Sequence, residues 1–378
     1  FMIGTGGTAL VSKLMGEGKK DEANSTFSMM VLFTLLLGIV LSAVGFLTMR
    51  PVSYFLGATD AMIDDCVLYG RIVTGFTFAF MLQNVFQSFF IAAEKPRLGL
   101  IVTVAAGVTN MVLDALFIAV FDWGVAGAAI ATGLSQCVGG VLPLIYFLRP
   151  NDSLLRMRPT SLRLCPILQA CGNGSSELMS NISSSLVGML YNFQLMHLIG
   201  EDGVSAYGVL MYVQFIFVAI FIGYSIGSAP VVSFHFGAQN HGELKSLLRK
   251  SVLLMSSGGV LLTVAARLLA ALLAHLFVGY DAVLFDLTTH AFRLFSWSFL
   301  LAGFNIFASG FFTALNNGAI SAAISFLRTL VFQTSSVLIL PLLLDVDGIW
   351  WAITVAEIFA FLISLLFLFL KRNKYHYL

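Results

Sequence analysis

Apolar runs, each long enough to cross about 30 Å of hydrocarbon, recur along the chain with short polar segments between them. After an opening stub they lie near 25–49, 62–92, 98–119, 125–148, 165–195, 204–236, 245–278, 285–314, 319–343 and 349–370. The apolar residues run continuously and do not alternate, so the pattern predicts spanning helices and not barrel strands. Nearly all the charge falls in the gaps.

The pattern also repeats. The stretch 221–243, FIGYSIGSAPVVSFHFGAQNHGE, returns to the chain's first residues at an offset of 221, with Gly227 on Gly6, Val232 on Val11, Ser233 on Ser12, Gly237 on Gly16 and Glu243 on Glu22. The same offset sets Asn305, Phe307, Ser309, Phe311 and Ala314 on Asn84, Phe86, Ser88, Phe90 and Ala93. An offset of 224 aligns the Gly348-Ile349 turn with Gly124-Val125. The chain is therefore two copies of one unit, and self-similarity of this kind outranks any local signal in setting architecture. The expected division is a first lobe over 1–150, a Pro- and Arg-rich cytoplasmic linker over 151–164 and a second lobe over 165–378. Phe1 aligns with Ile222 while the second copy begins near Arg163, so about 60 residues are expected upstream of Phe1, one spanning helix and much of another.

Composition agrees: 58% of residues are hydrophobic, 10% are charged and 35 are Phe, which places the chain in the membrane class. The net charge of +1 is spread over separate loops, so no basic face for nucleic acid is expected. Lys and Arg collect in alternate loops, at Lys13, Lys19, Lys20, Lys95, Arg97, Arg149, Arg156, Arg158, Arg163, Lys245, Arg249 and Lys250 and in the tail from Lys371. The opposite loops hold Arg50 and mostly acids, so the first set is cytoplasmic. Trp123, Trp350 and Trp351 beside outer loops are expected to form an aromatic belt. Parallel repeats of this orientation suit lobes that rock about a site near the membrane midplane.

Seven formal charges remain at membrane depth: Asp114, Glu177, Glu357, Arg71, Arg267, Arg293 and Arg328. Each is costly in hydrocarbon and should face a partner or a wet cavity. Glu177 is the leading candidate because Asn173, Ser175, Ser176, Asn181 and Ser184 surround it in sequence, and a carboxylate there could exchange a proton as its exposure alternates. The alternative is a hydrogen bond between helices. Asn110 and Asp114 share a helix face four residues apart, with Arg71 or the Gly124 turn as possible partners for the acid. Glu357 could carry coupling or neutralise Arg328 or Arg293. Tyr191, Tyr207, Met211 and Tyr212 are candidate lining for a cavity that takes flat, apolar cations, although most aromatic and Met residues in such a chain simply pack. Gly223, Gly227 and Pro230 predict a closely packed, bendable helix. The four cysteines and six histidines lack metal-ligand spacing, and Gly223-Tyr224-Ser225-Ile226-Gly227 lies in a spanning helix, so its fit to the hydrolase elbow is accidental.

The segments GTGGTALVSKLMGEGKKDEA, AAEKPRLGLIVTVAAGVTNMVLDALFI, DWGVAGAAIATGLSQ, GSSELMSNISSS and GSAPVVSFHFGAQNHGEL together resemble the multidrug and toxic compound extrusion (MATE) family. The resemblance implies an all-α, two-lobe bundle of originally twelve transmembrane helices, about ten complete and part of one present here. It implies a secondary antiporter of the cytoplasmic (inner) membrane, not an enzyme. Such a transporter exports amphipathic organic cations against a proton or sodium gradient, with no cofactor beyond the coupling ion and only small molecules and lipids as partners. A monomer is expected. In the tenth helix, where some family members carry a carboxylate, the nearest acid here is Asp286 at the outer end, which favours protons over sodium. The rival expectation is a lipid-linked oligosaccharide flippase of the same superfamily, whose cavity would be dominated by arginines.

Overall fold

The computed structural model describes residues 1–55 and 58–377. The described residues form helices α1 (Met2–Gly16), α2 (Lys20–Phe55), α3 (Ile63–Gly75), α4 (Thr77–Ala92), α5 (Pro96–Asp114), α6 (Gly124–Leu148), α7 (Leu164–Asn173), α8 (Ser175–Leu198), α9 (Glu201–Gly237), α10 (His241–Val278), α11 (Ala282–Phe295), α12 (Phe299–Ala314), α13 (Gly318–Phe326) and α14 (Thr334–Tyr375). Short π-helical turns follow α5 and α13, and a 3₁₀ turn joins α11 to α12. Each expected span corresponds to a helix or to a broken helix.

The breaks are where the simple pattern of uninterrupted spans fails. The expected span 62–92 is α3 and α4, bent by 47°. At this bend the freed amide of Phe78 donates to Ser42 Oγ at 3.3 Å, so the backbone is not left bare in hydrocarbon. The span 165–195 is interrupted at Gly174, between α7 and α8. Conversely, α14 is continuous only by hydrogen bonding, because Asp345 (φ 50°, ψ −134°) turns the chain between two crossings. Among the described residues, seven helices are long and apolar enough to cross a membrane, or eight with the bent pair counted as one span. Exposed side chains such as Leu47, Phe215, Leu268 and Leu342 cover their outer faces and suit lipid contact, not water. The protein is a multi-pass membrane protein.

Two compact units result. The first contains residues 3–171, the second 172–377, so the chain up to Cys171 groups with the first unit, beyond the expected linker end at 164. Leu378, the last residue of the expected second lobe, lies outside the described residues. In the first unit Phe27 meets Phe89 and Phe147 edge-on, with centroids 4.9 and 5.0 Å apart, and Phe86 stacks on Phe147. In the second unit Phe292, Phe295, Phe299, Phe307 and Trp350 are fully buried. Trp350 is therefore core and not a member of an interfacial belt, whereas Trp123 is half exposed.

The repeat is visible in the packing of each unit. Gly38 of α2 sits so close to α4 that a Cβ would lie 2.6 Å from Phe78 Cα. Its counterpart 221 residues later, Gly259 of α10, sits so close to α12 that a Cβ would lie 2.6 Å from Leu300 O and 3.0 Å from Phe299 O. Phe299 is itself the counterpart of Phe78. Without a hydrophobic force between helices in lipid, such small-residue contacts let backbones approach and gain dispersion energy. The turns match too: Gly18 and Gln239 both adopt positive φ at the ends of α1 and α9. By contrast, Gly223 and Gly227 have open space around them, so the close packing expected there is not made.

Gly38→Val and Gly259→Val are each expected to destabilise the protein by about 1–3 kcal/mol through overpacking. Gly107→Ala, where a Cβ meets nothing within 4 Å, should leave the melting temperature unchanged or raise it. Thermal unfolding of the three detergent-solubilised variants tests the contrast.

Candidate functional site

α8 begins at the break that Asn173 and Gly174 make, and this break places a polar group of residues inside the second unit. Asn173 is buried, and its Nδ2 donates to Thr313 O at 2.9 Å. Its Oδ1 is buried without a partner. Ser176 Oγ shares a hydrogen bond with Thr313 Oγ1 at 3.3 Å, Thr313 with Ser321 at 2.7 Å, Ser321 with Ser309 at 2.9 Å, and Ser309 with Ser325 at 2.9 Å. Five hydroxyls thus tie α8, α12 and α13 together. Each hydroxyl can donate and accept, so the chain satisfies itself without charge or water.

Glu177 follows Ser176 but turns away from this network. It is half buried, and no arginine or lysine pairs with its carboxylate among the described residues. Asn181 Nδ2 donates to the Glu177 backbone carbonyl at 2.8 Å, and Ser185 Oγ donates to the Asn181 carbonyl at 3.2 Å. Positions 177, 181 and 185 therefore form a polar stripe on α8. Beside it the exposed residues Leu178, Ile182, Leu186, Met189 and Phe193 form an apolar one. One helix presents both kinds of surface, as a helix between lipid and water would.

Glu357 has the opposite environment. It is 2% exposed and receives Arg328 Nε at 2.9 Å and Nη2 at 2.7 Å on Oε1, with Asn305 Nδ2 at 2.6 Å on Oε2. Asn305 Nδ2 also donates to the Glu357 backbone carbonyl at 3.0 Å. This two-pronged pairing neutralises both charges and fills the acceptor sites. Neutralisation by Arg328 was one of the two expected roles, and Arg293 is not the partner. The π turn Leu327–Gln333 carries Arg328 and follows Ser325 of the hydroxyl chain.

In the first unit, Asp114 ends α5 just before the π turn Ala115–Val120. It is half buried and lacks a side-chain partner among the described residues. The expected pairing with Arg71 is not made, because Arg71 Nε donates to Phe46 O at 3.3 Å and its guanidinium lies 5.2 Å from the Phe46 ring centroid. Asn110 Nδ2 is likewise buried without a partner. Arg267 is similarly engaged, over the Trp297 ring at 4.6 Å and donating to Arg293 O at 3.1 Å.

The expected lining residues divide. Tyr191 and Tyr207 are buried and stack face to face, with centroids 4.9 Å apart and planes 8° from parallel, inside the core of the second unit. Met211 packs against that core. Tyr212 is 69% exposed and stacks on Phe277. The structure thus brings Asn173 beside Ser176 and leaves Glu177 and Asn181 on an open face, while Asn110 and Asp114 belong to the other unit and Glu357 is sealed in an ion pair. The sequence reasoning missed Asn305 as the third member of that pair, although the repeat had marked it. It also missed the hydroxyl chain, whose signal was the spacing of Ser309 with Thr313 and Ser321 with Ser325 on successive turns.

Comparison with known proteins gives a family match. The MatE family model covers residues 1–116 and 178–337. The chain belongs to the MatE family. The multidrug export protein MepA of Staphylococcus saprophyticus is 23% identical over 388 residues, covering 99% of this chain and 82% of that protein. The protein of the same name from Staphylococcus aureus strain MRSA252 is also 23% identical, over 382 residues with the same coverage. Among solved structures, a MATE in complex with MaL6 superposes with TM-score 0.94 at 19% identity, covering 99% of this chain and 85% of that one. An outward-facing multidrug resistance MATE transporter of the MOP superfamily gives 0.93 at 20%, with 99% and 84% covered. The fold is therefore that of the family, whose members are transporters and not enzymes.

Arg328→Met is expected to destabilise the protein by roughly 3–5 kcal/mol, because it strands the Glu357 carboxylate. Arg328→Met with Glu357→Leu should recover most of that loss, since removing both charges also removes their desolvation cost. Melting temperatures of the two variants in detergent check the order.

Proposed function

We propose that the protein is a secondary active antiporter that exports amphipathic organic cations across the cytoplasmic membrane in exchange for protons. Family membership and the export proteins among its relatives support efflux. The observation that carries the coupling assignment is the contrast between the intramembrane acids of the second unit. Glu357 already holds a cation in Arg328, so protonating it would strand a buried guanidinium. Glu177 has no arginine partner among the described residues and lies on the polar stripe of α8 with Asn181. A carboxylate free to be charged or neutral is the group able to exchange a proton for a cationic cargo.

The mechanism is competition. A cation and a proton both neutralise Glu177, so each displaces the other, and exchange follows when the site opens to one face at a time. Asn173 supplies a buried, unpartnered oxygen at the end of α7, two residues before α8 begins. Asp114 and Asn110 are the corresponding candidates in the first unit. Arg71 and Arg267 lie over aromatic rings and donate to backbone carbonyls. This disfavours the flippase alternative, whose cavity would need arginines turned toward a phosphate.

The experiment is transport in proteoliposomes, using a fluorescent organic cation and either a proton or a sodium gradient. Proton-driven movement that Glu177→Gln abolishes is the expected result. Unchanged movement in Glu177→Gln removes that residue from coupling, and movement driven by sodium alone overturns the choice of ion.

A further inference from the structure

The segment 151–163 would ordinarily be a slack tether between repeats, since it carries Pro159, follows Pro150 and holds no helix. It is instead bonded along the cytoplasmic end of α2. Arg156 N donates to Asn24 Oδ1 at 2.7 Å, Arg158 N donates to Ser28 Oγ at 2.8 Å, and Arg163 N points at Met29 Sδ at 3.3 Å. Ser25 and Thr160 share a hydroxyl hydrogen bond at 3.0 Å, and Arg158 Nη1 meets Asp21 Oδ1 at 2.5 Å. Asn24 and Ser28 are one helical turn apart while Arg156 and Arg158 are two extended residues apart, spacings of about 6 Å and 7 Å that agree. Over 153–158 the side chains alternate as in an extended strand, with Ser153 and Leu155 buried, Met157 half buried, and Leu154, Arg156 and Arg158 exposed.

The second repeat supplies an internal control. At the offset of 221 Ala23 and Phe27 become Leu244 and Leu248, and all four are buried. Asn24, Ser28 and Met29, at 6%, 2% and 3% exposure, become Lys245, Arg249 and Lys250, all exposed. The core-facing positions are kept apolar in both copies, but the linker-receiving positions are uncharged and covered only in the copy that has a linker to receive.

We propose that residues 151–163 are a docked strap, a fixed part of the first unit seated in a groove built on α2. The flexible joint of the chain is then short. Ala170 is fully buried and groups with the first unit, while Asn173 is anchored to Thr313 in the second. Between them Cys171 and Gly172 belong to the last turn of α7, just ahead of the break at Gly174. Motion between repeats is confined to the end of α7 and does not use the loop's full length.

Limited trypsin digestion of the full chain in detergent tests the strap. Arg149 and Arg158 precede prolines and resist cleavage, so Arg156 and Arg163 report on the linker. In the parent they should be cut no faster than Lys371 and Arg372, which lie in the last turns of α14. Asn24→Ala/Ser28→Ala should speed their cleavage roughly tenfold by removing two bonds that hold the closed form. Arg156→Pro, which deletes one amide donor and leaves α2 intact, should expose Arg163 in the same way. Linker cleavage faster than at these helical sites in the parent, or unchanged in both variants, overturns the proposal.

A second measurement bears on the joint and rests on the transport function proposed above. Ser25→Cys/Thr160→Cys, in a chain with its four native cysteines replaced, should form a disulfide and still transport. Transport that stops on oxidation and returns on reduction means that the strap must leave α2, which overturns its fixed role. Absence of transport in the parent refutes the proposed function and leaves the tryptic result to decide the strap.

Discussion

In hydrocarbon no water replaces a missing hydrogen bond, so each interruption of a helix must be covered by a side chain or by another backbone. This constraint organises the molecule. The bend between α3 and α4 is possible because Ser42 takes the Phe78 amide. The end of α12 is possible because Asn173 takes the Thr313 carbonyl and Ser233 takes that of Ala314 at 2.6 Å. Helix termini otherwise leave four carbonyls bare. Small polar residues inside the spans are thus first of all the means by which helices stop, bend and meet.

The same accounting separates the charged residues. In a fully paired ion pair such as Arg328 with Glu357, removing either charge leaves the other buried and uncompensated. Its contribution lies in fixing how α12, the π turn and α14 pack, with Asn305 holding both the carboxylate and the carbonyl of one residue. Glu177 and Asp114, one in each unit, have no such partner among the described residues. An acid at membrane depth without an arginine partner carries a standing cost.

Much of this was legible in advance. The spans follow from apolar run length, because crossing the membrane imposes a length and a composition on each helix irrespective of its neighbours. The two-copy organisation followed from the offset of 221, and the Gly38 and Gly259 contacts bear it out at the level of backbone approach. Partner identity was less legible. Arg328 and Glu357 were named as a possible pair, yet Arg293 fitted equally well, since a sequence gives the depth of a residue but not its angle around the helix. Trp350 shows the same gap: the sequence places it beside a loop without saying which way it faces, and it packs into the core.

The strap marks the boundary most plainly. Composition made 151–163 a linker, because prolines and arginines between two apolar repeats have no core to enter. Only the folded chain brings Asn24 and Ser28, some 130 residues earlier, under the amides of Arg156 and Arg158. What the sequence alone determined was what each residue must avoid: charge in lipid, bare backbone in hydrocarbon, side chains where backbones touch. What the tertiary structure decided was which partner resolves each conflict, because the nearest group in space is set by helix rotation and register, which no local pattern records.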